Sequence, residues 1–211
     1  MRATLDRAEL SLRRLFSAGR MVIYYHDFPT DSFPLPLDSL PTDLSVQRKN
    51  RQEEIEQQDL DRIVNYWNPE LARRQLEERF KAGASLWLIR CEGQVAGYGW
   101  TLAGRTMRSY FVPFGSDDVH LFDFLVFPEY RGRRVNPTLV SYILAALTQE
   151  GKSRAYIEAA EWNQAELKSL GRTTFHLLGR ARKTAFLGRT IVEWRTEQMQ
   201  NVRSGTEQNI S

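Results

Sequence analysis

The residues of this chain that could do chemistry gather between positions 119 and 137, Val-His-Leu-Phe-Asp-Phe-Leu-Val-Phe-Pro-Glu-Tyr-Arg-Gly-Arg-Arg-Val-Asn-Pro. Arg131, Arg133 and Arg134 bring three guanidinium groups around Gly132. They follow a bulky apolar run, Leu121 to Phe127, that reads as a strand stopped by Pro128. A helix start comes next, with Asn136 read as its N-cap and Pro137 as its first residue. Leu139, Val140, Ile143, Leu144 and Leu147 then mark one apolar face up to Gly151. A helix N-terminus offers unpaired N–H groups and a partial positive charge, so arginines placed beside it predict an anion, above all a phosphate.

The elements around this junction alternate. Met21 to Tyr25 reads as a first strand, followed by a loop carrying Pro29, Pro34, Pro36 and Pro41, which forbid regular helix or central strand there. A polar stretch from Gln47 to Gln58 leads into a helical pattern of Leu60, Ile63, Val64 and Trp67. Asn68-Pro69 opens a second helix with Ala72, Leu76 and Phe80 along one side. Strands are expected at Ser85–Cys91 and Gln94–Leu102, joined by the tight turn Glu92-Gly93, and again at Arg154–Ala159. Asn163-Gln-Ala-Glu166 is a capping-box variant that opens a further helix, and residues 175–185 and 189–195 suit a closing hairpin around Gly188.

Val126-Phe127-Pro128-Glu129-Tyr130-Arg131-Gly132 resembles motif A of the GNAT acetyltransferase superfamily, in which a strand ending in Val-x-Pro-Glu-Tyr leads into an Arg-Gly-x-Gly-x-Gly loop and a long helix. The resemblance extends over roughly residues 20–195. It implies an α/β fold of mixed α+β type, a three-layer arrangement with a central mixed sheet flanked by helices. It also implies acetyl-CoA as cosubstrate, its pyrophosphate cradled by Arg131, Gly132, Arg133, Arg134, Val135 and Asn136. The pantetheine arm would lie along Leu125, Val126 and Phe127, with Asn163 at the next helix. Arg134 and Asn136 stand where the family usually has glycines, so the loop is expected either to be built differently or to bind more weakly.

Acetyl transfer needs a neutral amine, a stabilised oxyanion and a proton for the leaving thiolate. Counting back from Val126 by twos along one strand face reaches His120, the first candidate base, with a solvated histidine at a strand end as the alternative. Asp123, expected on the opposite face inside an apolar run, is either a second base or a structural acid bonded to amides or an arginine. Glu158 and Glu161 either enter the same cleft or stand as solvated charges. The family's usual leaving-group acid is a tyrosine about seven residues after the asparagine; Leu170 occupies that place here. Tyr24, Tyr25, Tyr66 and Trp67 lie where the resemblance places acceptor-binding elements, and aromatic rings beside polar groups suit sugar recognition; their alternative is core filling. Cys91 reads as core.

The whole chain bounds the function further. Its 211 residues suit one domain with decorations: an amphipathic segment 1–19, an acyltransferase domain 20–195 and a disordered polar tail 196–211. With 29 Lys and Arg against 26 Asp and Glu, the net charge of +3 is too small to argue for nucleic acid. One cysteine excludes an intrachain disulfide framework and a Cys-based zinc cluster, in keeping with a cytoplasmic protein that uses no metal. No run approaches the roughly 20 apolar residues of a transmembrane helix; for segment 1–19, packing on the domain and peripheral membrane contact are both open. The resemblance implies direct acyl transfer to an amine, with a small molecule as the leading expectation; the segment Arg131–Pro137 loosely resembles GNATs acting on amino sugars in surface-polysaccharide assembly, and an amino-acid or protein amine is also open. The alternatives are a CoA- or nucleotide-binding protein of the same fold without turnover, and a basic interaction module holding an acidic partner or membrane.

Overall fold

The computed structural model describes residues 19–29, 40–186 and 189–195. Segment 1–18, most of the proline-rich loop, the turn at Gly188 and the tail from Thr196 lie outside the described residues. Among the described residues eight strands form one sheet: β1 Arg20–Asp27, β2 Leu44–Lys49, β3 Ser85–Cys91, β4 Gln94–Ala103, β5 Asp118–Val126, β6 Arg154–Ala160, β7 His176–Phe186 and β8 Arg189–Trp194. Their spatial order is β2-β3-β4-β5-β6-β1-β7-β8, antiparallel throughout except for the parallel pair β5 and β6. That pair needs a crossover, supplied by helix α3, Val135–Gln149. Helices α1 (Gln57–Asn65) and α2 (Pro69–Lys81) precede β3, and α4 (Gln164–Leu170) follows β6.

The sheet's two faces carry separate cores. Alternation along β5 sends Val119 and Leu121 to one face, where they meet Leu139, Val140, Ile143 and Leu147 of α3 and Leu170 of α4. Leu86, Leu88, Tyr98, Trp100 and Leu102 point to the other face and pack under Leu60, Ile63 and Val64 of α1 and Leu76 of α2. Helices on both faces make the three-layer mixed α/β architecture that the sequence predicts. Asn68 caps α2 by accepting from the Leu71 amide, and Glu92 and Gly93 take φ of 51° and 79°, the left-handed pair that a two-residue hairpin turn requires.

Three expectations are corrected here. Gln47, Arg48 and Lys49, expected in the polar stretch before α1, instead end the edge strand β2 paired with β3; only Leu44 and Val46 alternate there, too short a signal to read without the partner strand. Helix α3 begins earlier than Asn136, because its N-cap is Arg134 in the left-handed region with φ 61°. Pro137 then falls in the first turn, where its missing N–H costs nothing. Third, β5 carries a bulge. Phe122 pairs with Trp100 and Leu125 with Tyr98, so Asp123 and Phe124 together oppose Gly99, and Asp123 takes φ 51°. A Cβ at Gly99 would lie 2.3 Å from the Phe124 ring, so any larger residue there forces that ring to move.

Candidate active site

The parallel ladder of β5 and β6 runs from Asp118 with Arg154 to Leu121 with Ile157 and stops. Beyond it the edge of β5 that faces β6 has no ladder partner among the described residues, and a cavity of about 640 Å³ opens there, lined by Phe124, Leu125 and Val126 of the strand, the loop before α3, and Trp162, Asn163 and Glu166 around the start of α4. Arg131, Gly132, Arg134, Val135 and Asn136 line it from the loop side, and Tyr66 and Trp67 close one end.

The loop keeps its course by two left-handed residues, Gly132 at φ 80° and Arg134 at φ 61°. Arginine thus adopts at 134 the conformation that glycine takes without strain. The Arg134 side chain makes no capping bond, and Asn136 does not occupy the first amides of α3. Instead Asn136 donates from Nδ2 to Ser169 Oγ at 3.0 Å, and its buried Oδ1 has no partner among the described residues. Arg131 is ordered by donating to the Tyr66 hydroxyl (3.1 Å) and the Val126 carbonyl (3.2 Å). Arg62 braces the same loop by pairing with Glu129 while its guanidinium lies 4.3 Å from the centre of the Phe127 ring.

His120 is buried on the sheet face opposite α3, at 6% exposure, which removes the reading of a solvated strand end. Its Nε2 lies 2.9 Å from Glu158 Oε2, and its ring stacks on Phe122 at 5.0 Å. The Tyr110 hydroxyl donates to the same Glu158 oxygen at 2.8 Å, and Tyr110 packs edge-on against His120. Burial alone would raise the Glu158 carboxyl, but His120, Tyr110 and the Lys183 ammonium outweigh it and hold the group below its usual value. Tyr110 is pushed well above its ordinary pKa, by burial first and Glu158 second. An ionised Glu158 favours the tautomer with hydrogen on Nε2, leaving a lone pair on Nδ1, an atom that is buried without a partner among the described residues.

The bulge overturns the strand-parity reasoning. His120 and Phe122 share a face with Leu125, whereas Val126 packs toward α3, so counting by twos from Val126 does not reach His120 on one face. Asp123 is likewise not across the sheet from His120: its Oδ2 accepts from Arg79 Nη1 of α2 at 2.5 Å, and that guanidinium lies over Trp100 and Phe122. Asp123 lines a second hollow of about 300 Å³ with Trp67, Asn68, Gln75, Arg79 and Tyr98. Trp67, 57% exposed, stands between both cavities.

His120, Glu158 and Tyr110 form a largely buried cluster that lines neither hollow, and other expected residues are not brought in either. Phe127 is buried in the core under α1, and Arg133 lies beside Tyr130 outside the cavity. Tyr24 and Tyr25 sit in β1, inside the sheet between β6 and β7, and line neither hollow, because β1 inserts where it is flanked on both sides. Glu158 is not a solvated charge, while Glu161 pairs with Arg180 and Arg195 at 2.8 and 2.9 Å. Cys91 is buried, as expected. Sequence reasoning missed Tyr110, which arrives from the loop after β4, and Glu166, whose only signal was its place in the capping box. Burial pushes the Glu166 carboxyl up to about 7, with Glu158 and Asp123 adding to the rise and Asn163 opposing it. Among the described residues, no group of three His, Cys, Asp or Glu side chains is placed to hold a metal, and no helix is long and apolar enough to cross a membrane.

Solved structures share this fold. The GCN5-related glucosamine N-acetyltransferase region of a fungal multi-domain GH3 beta-N-acetylglucosaminidase aligns with a TM-score of 0.57 at 15% identity over 81% of this chain and 22% of that one. A GNAT-family acetyltransferase from Colwellia psychrerythraea gives 0.53 at 11% identity, over 83% of this chain and 55% of the other. A tandem GNAT protein from the clavulanic acid biosynthesis pathway gives 0.52 at 14%, over 77% and 51%. The chain therefore spans between about a fifth and a little over half of these proteins' lengths. No curated protein sequence matches it. The sequence pattern described as the acetyltransferase (GNAT) family matches residues 50–171, more than half of the 211 and including the whole of β5, the basic loop, α3 and α4, and the chain belongs to that family.

Proposed function

We propose that the protein is an N-acetyltransferase that takes acetyl-CoA in the cavity between β5 and α4 and transfers the acetyl group directly to a small-molecule amine. The observation that carries this reading is the junction itself: a strand edge unpaired among the described residues leads into a loop whose helix amides, not occupied by Asn136, line one cavity with Arg131 and Arg134. The donor set suits a pyrophosphate with an amide-bearing arm. Cationic groups and free N–H donors stand at the loop, and the orphaned Asn136 Oδ1 is an acceptor awaiting an N–H deeper in. Arg131, Gly132, Arg134, Val135, Asn136, Leu125, Val126 and Asn163 are the residues assigned to this cosubstrate.

His120 is assigned as the base. The Glu158 carboxylate orients its ring and stabilises the imidazolium formed when the amine loses its proton, and Tyr110 holds Glu158 in place. Asp123 is assigned a positioning role: it stabilises the bulge and the Arg79 guanidinium, and it lines the hollow on the α2 side. That hollow is the proposed acceptor site. The exposed Trp67 indole offers a stacking surface, and Asn68, Gln75 and Asp123 offer hydrogen bonds, a combination that suits an amino sugar. Transfer of radiolabelled acetyl from acetyl-CoA to a panel of amino sugars, amino acids and polyamines tests the reading. Labelled product with at least one amino sugar is expected, and no product with any amine would overturn it.

A further inference from the structure

The proton for the departing sulfur has no source at position 170. Leu170 is 1% exposed and packed in the core under α3, and its side chain carries no proton to give. Glu166, one helical turn earlier on α4, lines the cavity instead. Its backbone N–H donates to Asn163 Oδ1 at 3.3 Å, and Asn163 Nδ2 donates to Glu166 Oε2 at 2.8 Å, a reciprocal pair that turns the carboxyl back toward the first turn of the helix. The cavity that it lines opens where the β5–β6 ladder ends, and the charges of Glu158 on β6 and Asp123 on β5 add to the rise of its pKa. Of the remaining charged groups on the same cavity wall, Lys168 and Arg172 come from α4 and its end, and Arg131 and Arg134 from the loop opposite.

We propose that Glu166 is the general acid of this enzyme, protonating the thiolate as it leaves; the assignment rests on the acetyl-transfer reading above. The amine nitrogen attacks the thioester carbonyl carbon and its proton passes to His120. The C–S bond then breaks with its electron pair going to sulfur, and that pair takes the Glu166 proton, giving the amide and free CoA thiol. His120 returns its proton, and Glu166 regains one, through solvent. A carboxyl titrating at about 7 is still substantially protonated at neutral pH, whereas an ordinary glutamic acid is not. Asn163 meanwhile fixes its direction.

The experiment is Glu166→Gln, which keeps the shape and an acceptor for Asn163 but has no proton to give. Turnover is expected to fall roughly 10- to 100-fold at neutral pH, the low end for a lost general acid because thiolates leave readily, with KM for acetyl-CoA changed less than about 3-fold. The fall of wild-type kcat as pH rises through about 7 should vanish in the variant. In the protein without substrate, the infrared band of a protonated carboxyl should titrate over the same range and be missing from Glu166→Gln. Wild-type turnover and an unchanged basic limb in the variant would overturn the assignment while leaving acetyl transfer intact, as would a rise in KM that matches the fall in kcat/KM. A wild type that acetylates no amine would overturn both.

Discussion

Replacing Arg134 by glycine separates what this residue does for the fold from what it does for the ligand. Arg134 holds φ 61° as the N-cap of α3 and makes no capping bond with its side chain. A left-handed conformation costs a residue with a Cβ roughly 1–2 kcal/mol. Glycine avoids that but loses roughly 0.5–1 kcal/mol more chain entropy on folding. Glycine is also well tolerated at an N-cap. The net expectation for Arg134→Gly is a protein without ligand that is about 0.5–1 kcal/mol more stable, which raises Tm by up to about 2–4 °C for a domain of this size. The guanidinium lines the proposed pyrophosphate site, and a lost charge-assisted hydrogen bond is worth roughly 1.5–3 kcal/mol, so Kd for CoA should rise about 10- to 100-fold. Urea unfolding of the free protein and calorimetry with CoA measure the two effects separately. A destabilised variant would refute the strain reasoning, and an unchanged Kd would remove Arg134 from the site.

Gly132→Val should also weaken CoA binding with the fold retained: φ 80° is strained for a branched residue, but a Cβ there meets nothing within 4 Å, so circular dichroism should be unchanged while calorimetry shows the loss. His120→Gln should lower kcat by roughly 10² to 10⁴ with little change in CoA affinity. Asp123→Asn should instead cost up to about 1 kcal/mol of stability by removing the charge opposite Arg79 from a half-exposed pair while keeping an acceptor there, and reduce kcat less than the His120 variant does; a stable but inactive Asp123 variant would transfer the role of base to Asp123. Glu166 adds a pH dependence to stability. Its folded pKa is raised from 4.5 to about 7, so its stabilising contribution is complete below about 4.5 and is lost as pH rises through about 7. Relative to Glu166→Gln, the wild type should lose at most about 3 kcal/mol across that window, read from urea midpoints at a series of pH values; parallel curves would show that the carboxyl titrates normally.

What could be read from the chain beforehand was whatever periodicity and turn chemistry write locally. The apolar faces of α2 and α3, the Asn68 cap, the Glu92-Gly93 turn and the strand–loop–helix junction were all visible in this way, and the junction named the family. The misreadings were nonlocal. Asp123 breaks the two-residue period because its bulge depends on Gly99 in the neighbouring strand, so face assignments upstream of it reversed. Asn136-Pro137 has the composition of a helix start, yet Ser169 of α4 claims the asparagine side chain and the cap falls on Arg134. The partners of His120, Glu158 and Tyr110, lie 38 residues beyond it and in the loop before it. Only the parallel pairing of β5 with β6 makes that cluster.

Binding of acetyl-CoA in the cavity at the β5–α3 junction is the property from which the proposed activity follows. Calorimetric titration of acetyl-CoA into the wild-type chain should show saturable binding of one ligand per chain with Kd in the range of about 1 μM to 1 mM, markedly weakened in Gly132→Val. No heat of binding at millimolar ligand, or equal affinity in the Gly132 variant, would contradict it.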